Sequence, residues 1–595
     1  MVSQRLRVDL RRAARRAIQP RRVRRLPRRG RRARLGAGAR AAGARPEGAG
    51  VVRVLGACSK RSDQVNDVAN DSLASVVVAT LRAHGVARAL VAPGSRSTPI
   101  VAALHAADFP MHLILDERAA AYAAVGCARV GEIAAVVTTS GTAVANLLPG
   151  LAEAERDELP VVALTADRPL PEVEARANQT VHQPPLLAGA ARGRADFTAA
   201  ALDNDWREQL SAALAALHGP SPGPVHINVR FDKPLTPTGT SGSALPADVH
   251  ARPERTPPAA PWDDAVRGLV VVGALPFRAR EPVNALLDSL PWPSLVDVTS
   301  GIDRAGKGRY RAALMRAPIA RERLRPDRVL WIGGRVTDPV VGEWLRDADI
   351  VQWRTGDAIR DADGITSAAT TVDFGGALPD TSTARPSELD LEPFSAAFPD
   401  PPKTLQEPSV ARLVADSLSD DEVLFVGSSM PIRDVDRFAT CLRAPVLANR
   451  GISGIDGNLA TAYGAHVSSN RPVTALLGDL AFLHDASTLG LLAQTGARIR
   501  IVCVNNSGGG IFHFLPIAEH QTIFQPWFTA PHDLDPVAIG GGFGVPARRV
   551  RSWEELETAL KEPPSGPELL EVRTDREANH ALHVELDRRY QGALR

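Results

Sequence analysis

Leu476-Leu477-Gly478-Asp479-Leu480 and, further on, Val502-Cys503-Val504-Asn505-Asn506-Ser507-Gly508 form the most informative part of this sequence. Each stretch is an apolar run of the kind that forms a buried strand, and each ends in polar residues. Asp479 and Asn506 are 27 positions apart, which fits a strand, a helix and a second strand. Open α/β sheets bind ligands at the carboxyl ends of their strands, so both side chains are expected at a ligand site. Oxygen ligands of this kind suit Mg²⁺, which keeps water and phosphate oxygens in its octahedral shell.

The composition indicates a multidomain globular protein. The chain has 595 residues, which is too many for one core and suggests about three or four domains. It is 44% hydrophobic and 23% charged, and no apolar run approaches the ~18 residues that a membrane span needs. The four cysteines are scattered and lack any C-x-x-C spacing. A metal cluster and a disulfide framework are therefore unexpected, and a reducing cytoplasm is the expected location.

The first 60 residues differ from the rest of the chain in charge. They hold 19 Lys and Arg residues against two acids, a net charge of +17, so the other 535 residues must carry −14 to give the overall +3. With so little apolar content, residues 1–65 are predicted to be disordered. A nucleic-acid-binding arm is physically plausible but disfavoured, and a targeting peptide fits poorly because no apolar signal region is present. The favoured interpretation is an over-extended start, translated from GC-rich upstream DNA.

Helical patterns alternate with short β-rich runs along the remaining sequence. This alternation predicts βαβ units and parallel sheets. In the middle of the chain the predicted strands are 269–272, 329–332 and 350–353. Proline-rich stretches at 246–261 and 379–408 are predicted to be connections. The expected organisation is three doubly wound α/β domains, at residues 66–244, 262–378 and 409–578.

Polar residues follow several predicted strands of the first domain. Ser95 and Arg96 could form an anion site at a helix N-terminus, or an ordinary turn with a solvated arginine. Glu117 begins a helix after the next strand, where it could merely interact with the helix dipole. Arg168 ends a later strand. A structural salt bridge is favoured as its role over binding of a substrate carboxylate. Gln179 lies a short way downstream.

The third domain repeats the pattern of strand, small polar turn and arginine. Ser429 and Arg433 follow the apolar run that ends at Val426. A second segment, Asn449-Arg450-Gly451-Ile452-Ser453-Gly454-Ile455-Asp456-Gly457, is too rich in glycine for a helix interior. Its isoleucines have no obvious core to join. A flexible linker remains open as an interpretation, although linkers are usually poorer in Ile and Arg.

Taken together, these motifs resemble the family of 2-succinyl-5-enolpyruvyl-6-hydroxy-3-cyclohexene-1-carboxylate (SEPHCHC) synthases, the thiamine-diphosphate enzymes of menaquinone biosynthesis. The resemblance covers roughly residues 71–573. Its motifs, besides the first pair of segments and the glycine-rich loop, are Pro93-Gly94-Ser95-Arg96-Ser97-Thr98-Pro99, Asp116-Glu117-Arg118, Thr139-Ser140-Gly141-Thr142-Ala143-Val144-Ala145-Asn146, Thr165-Ala166-Asp167-Arg168-Pro169 and Asn178-Gln179.

The resemblance implies an architecture and a reaction. The first domain would bind the pyrimidine of the cofactor, the central domain would have little role in chemistry, and the last would bind the diphosphate. The enzyme would be a transferase that decarboxylates 2-oxoglutarate and adds the succinyl carbanion equivalent to isochorismate. Active sites would lie between the subunits of a homodimer or homotetramer.

The resemblance also implies roles for individual residues. Glu117 would be catalytic, because its carboxyl group would bind N1′ of the aminopyrimidine and favour the imino tautomer. The cofactor-binding residues would be Glu117, Ser429, Ile455, Gly478, Asp479 and Leu480. Mg²⁺, or alternatively Mn²⁺, would be held by Asp479, Asn506 and the Gly508 carbonyl. The substrate pocket would contain Ser95, Arg96, Arg168, Gln179, Ser429, Arg433 and Arg450.

The sequence departs from the family pattern in the central domain and at the metal motif. Gly478-Asp479-Leu480 replaces the usual Gly-Asp-Gly, and the basic pair of some members is missing after Gly334, where only Arg335 is basic. The nearest alternative is another thiamine-diphosphate decarboxylase or carboligase, of the acetolactate-synthase type. It would share Glu117, Asp479 and Asn506 but need a more apolar pocket. A nucleic-acid-binding protein would rest on the basic head alone, and a catalytically dead scaffold is disfavoured because the metal ligands are present.

Overall fold

Three six-stranded parallel sheets make up the computed structural model of this protein. The structure describes residues 58–199, 206–219, 221–237, 258–262, 265–356, 361, 364–376 and 378–595. The Arg-rich head and most of the predicted connection at 246–261 lie outside the described residues. The predicted fold class, with three parallel α/β sheets, is confirmed. In the described part of the chain, no helix combines the length and apolarity that crossing a membrane requires.

The first sheet follows a long N-terminal helix, α1 (Cys58–Ala83). Its other elements are β1 (Val86–Val91), α2 (Thr98–Ala106), β2 (Met111–Leu113), α3 (Glu117–Arg129), β3 (Ile133–Thr138), α4 (Thr142–Ala145), α5 (Leu148–Arg156), β4 (Val161–Asp167), α6 (Leu170–Glu174), α7 (Gln183–Leu187), β5 (Gly193–Thr198), α8 (Trp206–Ala215) and β6 (Val225–Arg230). The strand order is β2-β1-β3-β4-β6-β5. Both faces of its central strands are buried, which is why these strands read as continuous apolar runs.

The central sheet confirms the three strands predicted for it. Its elements are β7 (Gly268–Val272), α9 (Phe277–Ser289), β8 (Ser294–Val296), β9 (Arg309–Tyr310), α10 (Pro318–Arg323), β10 (Arg328–Ile332), α11 (Val340–Trp344), β11 (Asp349–Arg354), β12 (Ala368–Thr371) and α12 (Glu392–Ala396). The strand order is β12-β11-β10-β7-β8-β9. Helix α12 lies within the predicted connection at 379–408, and its Phe394 packs into the core of the central sheet. This segment is therefore more than a connection.

The third sheet has the same topology as the first. Its elements are α13 (Glu407–Ser417), β13 (Val423–Val426), α14 (Met430–Phe438), β14 (Val446–Leu447), α15 (Asn458–Ser469), β15 (Val473–Gly478), α16 (Asp479–His484), α17 (Thr488–Thr495), β16 (Ile499–Asn505), α18 (Gln521–Trp527), α19 (Pro536–Gly542), β17 (Ala547–Val550), α20 (Trp553–Ala559), β18 (Glu568–Arg573) and α21 (Arg576–Ala593). The strand order is β14-β13-β15-β16-β18-β17. The last helix, α21, extends past the domain boundary expected at residue 578, and its Leu586 and Tyr590 pack into the core of the central sheet.

The strand order places a topological switch point between β13 and β15. The chain leaves β13 toward one edge of the sheet and leaves β15 toward the other, so a crevice opens between their carboxyl ends. Ser428 and Ser429 follow β13, and Asp479 follows β15. The predicted ligand residues therefore meet at the place where this topology binds ligands.

Helices α3 and α15 join the first and third sheets directly. A Cβ at Gly126 of α3 would overlap the carbonyl oxygen of Thr461, and a Cβ at Gly464 of α15 would overlap that of Ala123. The two helices therefore approach closely because glycines remove the side chains between them. Buried residues of both sheets belong to one hydrophobic core around this contact.

Candidate active site

A cavity of about 390 Å³ opens at the switch point of the third sheet. Its wall contains all nine residues of this domain that the sequence analysis named as site residues. They are Ser429, Arg433, Arg450, Ile455, Gly478, Asp479, Leu480, Asn506 and Gly508. Helix α14 begins at this wall with Met430, and the free amides of a helix N-terminus favour an anion such as a phosphate.

Asp479 is held in a defined orientation by backbone amides. Its Oδ1 accepts a hydrogen bond from the Leu480 amide at 2.7 Å, and its Oδ2 accepts one from the Gly508 amide at 2.9 Å. The His532 Nε2 lies 3.3 Å from the same Oδ2. Burial raises the pKa of Asp479, while the Gly508 amide opposes the rise. The carboxylate is thus presented to the cavity by the strand end that the sequence predicted.

Asn506 is oriented by a residue that the sequence analysis missed. Its Nδ2 donates to Oε1 of Glu407 at 2.8 Å, and the Thr574 hydroxyl donates to the same oxygen at 3.1 Å. Burial, reinforced by the charge of Asp434, raises the pKa of Glu407 to about 8. Glu407 opens α13 after a proline-rich stretch, and no local signal distinguishes it from an ordinary first-turn glutamate.

The donor set fits a hard divalent cation. Because the amide nitrogen of Asn506 faces Glu407, its Oδ1 is left buried without a hydrogen-bond partner among the described residues. A buried acceptor without a partner is costly, and a cation would satisfy it. One carboxylate oxygen, one amide oxygen and the Gly508 carbonyl leave several positions for water and phosphate oxygens. No cluster of three or more His, Cys, Asp or Glu suited to a metal occurs among the described residues.

Two arginines give the cavity a positive wall. Burial lowers the pKa of Arg433, and the neighbouring Arg450 lowers it further. Burial likewise lowers the pKa of Arg450, and Arg335 of the central domain acts in the same direction. The Arg433 Nη1 donates to the Ser429 carbonyl at 2.5 Å. Neither Arg433 nor Arg450 forms an ion pair within the part of the chain that the structure describes, so both remain available for an anionic ligand.

Ile455 lies on the loop 449–457 and reaches the cavity. Its side chain is 37% exposed, and that of Ile452 is 46% exposed. The expectation that these isoleucines join no core therefore agrees with the structure. The loop is not a free linker, however, because it is bonded at several points to the first domain.

Glu117 does not line this cavity. It is the first residue of α3, and its Oε2 accepts a hydrogen bond from the Asn146 amide at 3.4 Å. The adjacent Arg118 donates to the His484 carbonyl at 3.0 Å, at the end of α16 opposite to Asp479. Leu113 and Leu115, just before Glu117, are 67% and 80% exposed. Within one chain, Glu117 is therefore not among the residues that line the cavity with the predicted metal ligands.

The other predicted residues of the first domain gather at the carboxyl edge of its sheet. Ser95 is exposed, whereas Arg96 is buried and donates to the Phe231 carbonyl at 2.8 Å. Gln179 donates to the Ser140 carbonyl at 3.0 Å. Arg168 forms an ion pair with Glu172 at 2.6 Å, as the salt-bridge interpretation expected. None of these residues lines the cavity of the third domain.

The chain matches two family models at its two ends. Residues 71–186 match the thiamine pyrophosphate enzyme N-terminal TPP binding domain, and residues 435–572 match the corresponding C-terminal TPP binding domain. Among curated proteins, it is 38% identical to a 2-succinyl-5-enolpyruvyl-6-hydroxy-3-cyclohexene-1-carboxylate synthase of Rubrobacter xylanophilus, over 87% of this chain and 98% of that one. The synthase of the same name from Salinibacter ruber is 36% identical over 87% and 96%, and that from Myxococcus xanthus is 35% identical over 86% and 95%.

A solved structure shares the fold. The thiamine diphosphate-dependent 4-hydroxybenzoylformate decarboxylase of Rhodococcus jostii RHA1 superposes with a TM-score of 0.67 over 85% of this chain and 99% of that one. The sequence identity is 20%, so the likeness concerns the architecture alone.

Proposed function

The chain belongs to the SEPHCHC synthase family of thiamine-diphosphate enzymes, which serves menaquinone biosynthesis, and from this premise we propose how its residues perform the family's reaction. The reaction releases CO₂ from 2-oxoglutarate and joins the remaining succinyl unit to isochorismate. When bound, thiamine diphosphate supplies the carbanion chemistry for both steps. The protein supplies orientation, charge and exclusion of water.

We assign the cavity of the third domain to the diphosphate and its metal ion. Asp479, the Asn506 Oδ1 and the Gly508 carbonyl would hold Mg²⁺, or Mn²⁺ in its place, and the cofactor phosphates and water would complete its shell. Ser429 and the following amides of α14, together with Gly478 and Leu480, would face the diphosphate. The buried Asn506 oxygen without a partner supports this assignment. Ile455, which lines the same cavity, would provide an apolar contact for the rings of the cofactor.

We further propose that Glu117 of a second copy completes each site. Its carboxyl group would share a proton with N1′ of the aminopyrimidine, and Asn146 would hold the carboxyl in place. Two observations support a homodimer or homotetramer with shared sites. Glu117 lies away from the cavity of its own chain, and the exposed Leu113 and Leu115 beside it form an apolar surface suited to a partner.

The substrate residues account for the preference for dianionic substrates. The observation that carries the proposed function is that Arg433 and Arg450, neither paired with a carboxylate among the described residues, line the same cavity as the metal ligands. Both guanidiniums are partly buried and have no carboxylate partner among the described residues, so a substrate carboxylate would offset the cost of their burial. Ser95, Arg96, Arg168 and Gln179 would add the first-domain side of the pocket, with Arg168 exchanging Glu172 for a substrate carboxylate.

The three cysteines whose side chains the structure describes are unpaired, which supports the expected cytoplasmic location. Nucleic-acid binding is not part of the proposed function, since it would rest on the basic head alone.

The test is CO₂ release by the full-length chain with thiamine diphosphate and Mg²⁺. We expect turnover of 2-oxoglutarate that depends on isochorismate and yields a succinylated adduct. Turnover of pyruvate in preference to 2-oxoglutarate would instead assign the chain to the acetolactate-synthase type. Absence of turnover with both acids would contradict the proposal.

A further inference from the structure

The loop 449–457, which carries Arg450 and Ile455 to the cavity, is held at both ends by the first domain of its own chain. This loop contains three glycines and buries neither of its isoleucines, so apolar packing contributes little to its position. The position of the loop is instead held by polar contacts to helices α3 and α5. They lie outside the cavity and contact none of the proposed ligands.

At the start of the loop, Glu153 of α5 accepts two consecutive backbone amides. The Gly451 amide donates to its Oε1 at 2.9 Å, and the Ile452 amide donates to its Oε2 at 2.8 Å. Arg129 of α3 donates to Glu153 at 2.6 Å and to the Asn449 Oδ1 at 3.2 Å. Glu153 is fully buried, so this carboxylate and its partners form a fixed clamp rather than a mobile surface contact.

At the end of the loop, Tyr122 of α3 makes the second attachment. Its hydroxyl donates to the Asp456 Oδ2 at 2.7 Å. The next residue, Gly457, has a φ of +66° and lies so close to the Tyr122 ring that a Cβ there would overlap it. The aromatic ring is buried. Residue 455 is therefore fixed by a hydrogen bond and a steric contact within two positions of it.

We propose that Tyr122 and Glu153 are positioning residues that hold Arg450 and Ile455 in place for catalysis. The proposal rests on the function proposed above, because that function assigns the cofactor to Ile455 and a substrate carboxylate to Arg450. The physical reason is geometric: a loop with three glycines samples many conformations once its attachments are lost. Only a small fraction of them would present Ile455 to the cofactor and Arg450 to a substrate carboxylate at the same time.

The proposal predicts how conservative substitutions act. Tyr122→Phe removes only the hydroxyl that binds Asp456. Glu153→Gln replaces one of the two acceptor oxygens with a donor that opposes a backbone amide. The matched controls are Tyr590→Phe, which removes an equally buried hydroxyl bonded to the Leu314 carbonyl, and Glu422→Gln, which alters a buried glutamate away from the loop.

The experiment measures three properties of the full-length protein. The first is amide hydrogen exchange of the peptide containing 449–457 without cofactor. The second is the near-ultraviolet circular dichroism of bound thiamine diphosphate, which reports the aminopyrimidine tautomer. The third is kcat and KM for 2-oxoglutarate. We expect loop exchange to accelerate about tenfold in both variants, the dichroism signal to weaken, and kcat to fall about 10- to 100-fold with KM nearly unchanged. The two controls should match the parent protein in all three.

Each outcome decides the proposal. Unchanged exchange of the loop overturns it, and so does faster exchange without loss of the dichroism signal. If the parent protein binds thiamine diphosphate but turns over neither acid, the proposed function fails, while exchange and dichroism still decide the role of Tyr122 and Glu153. If kcat falls equally in the two variants and in their controls, Tyr122 and Glu153 contribute only to the general stability of the fold, and the proposal is overturned.

Discussion

Glu407 accepts a hydrogen bond from the side-chain amide of Asn506 at 2.8 Å, and this contact directs the Asn506 oxygen away from Glu407. Glu407→Leu would free the amide to rotate and leave its nitrogen without an acceptor. We expect the affinity for Mg²⁺, measured by calorimetric titration in the presence of thiamine diphosphate, to fall about 10- to 100-fold. The control is Glu422→Gln, in the same domain. Equal metal affinity in the parent protein and the Glu407→Leu variant would contradict the orienting role.

Glu117→Gln tests the proton-sharing role at the aminopyrimidine. The substitution keeps the size of the side chain and removes its ability to hold the shared proton. Turnover is expected to fall at least about 100-fold, whereas the dissociation constant of thiamine diphosphate should change by less than about threefold. Full retention of activity would remove Glu117 from the catalytic machinery.

Mixed oligomers distinguish a shared site from a site within one chain. Asp479→Ala is expected to raise the Mg²⁺ and cofactor concentrations needed for activity, and Glu117→Gln to abolish turnover. If each site takes Glu117 from one copy and Asp479 from another, a mixed dimer of the two variants contains one intact site and one doubly altered site. At Mg²⁺ and cofactor concentrations too low to support the Asp479→Ala variant, activity should then reappear when the two proteins are mixed and reassembled. No recovery in verified mixed dimers would place both residues in the same chain's site.

Arg450→Leu should alter the choice of substrate more than it alters the fold. Without this guanidinium, one carboxylate of 2-oxoglutarate loses its partner, which costs about 1.5–3 kcal/mol. We expect kcat/KM for 2-oxoglutarate to fall by about 10- to 100-fold. The ratio of kcat/KM for 2-oxoglutarate to that for pyruvate should decrease accordingly. Arg471→Leu, an exposed position in the same domain, serves as the control. A uniform loss for both acids would indicate damage to the cofactor site instead.

His226 makes the stability of the first domain depend on pH. The ring is buried in β6, where Thr165 bonds its Nε2 at 2.8 Å, and burial lowers its pKa to about 4. An unfolded histidine titrates near 6.5. Between these values the unfolded chain binds more protons, so this contribution to stability is lost as the pH falls from about 6.5 to 4.

His226→Gln removes this titration. As the pH falls from 7 to 4, its free energy of unfolding should decrease by about 3 kcal/mol less than that of the parent protein. Urea unfolding at several pH values measures the difference. Parallel pH dependence of the two proteins would show that His226 is not protonated on unfolding.

Local sequence patterns predicted the parallel strands and the residues at their carboxyl ends, because buried parallel strands are apolar throughout and their ends are polar. The positions of Asp479 and Asn506 beside the carboxyl ends of β15 and β16 could therefore be predicted without any structure. Contacts between distant segments could not be found this way. Glu407 meets Asn506 across 99 positions, and Tyr122 meets Asp456 across 334. Hydrophobic periodicity describes which face of an element is buried, but it does not specify the partner.

The glycine contact between α3 and α15 has a consequence for how this protein can be divided. A chain cut between the first and central domains should reassemble from its two co-expressed fragments, because α3 and α15 pack closely through Gly126 and Gly464. Expressed alone, the N-terminal fragment would display this face of α3 to solvent and aggregate. Exchanging one half for that of a distant homologue should destabilise the protein unless the incoming helix also leaves room for the close contact at Gly126 and Gly464.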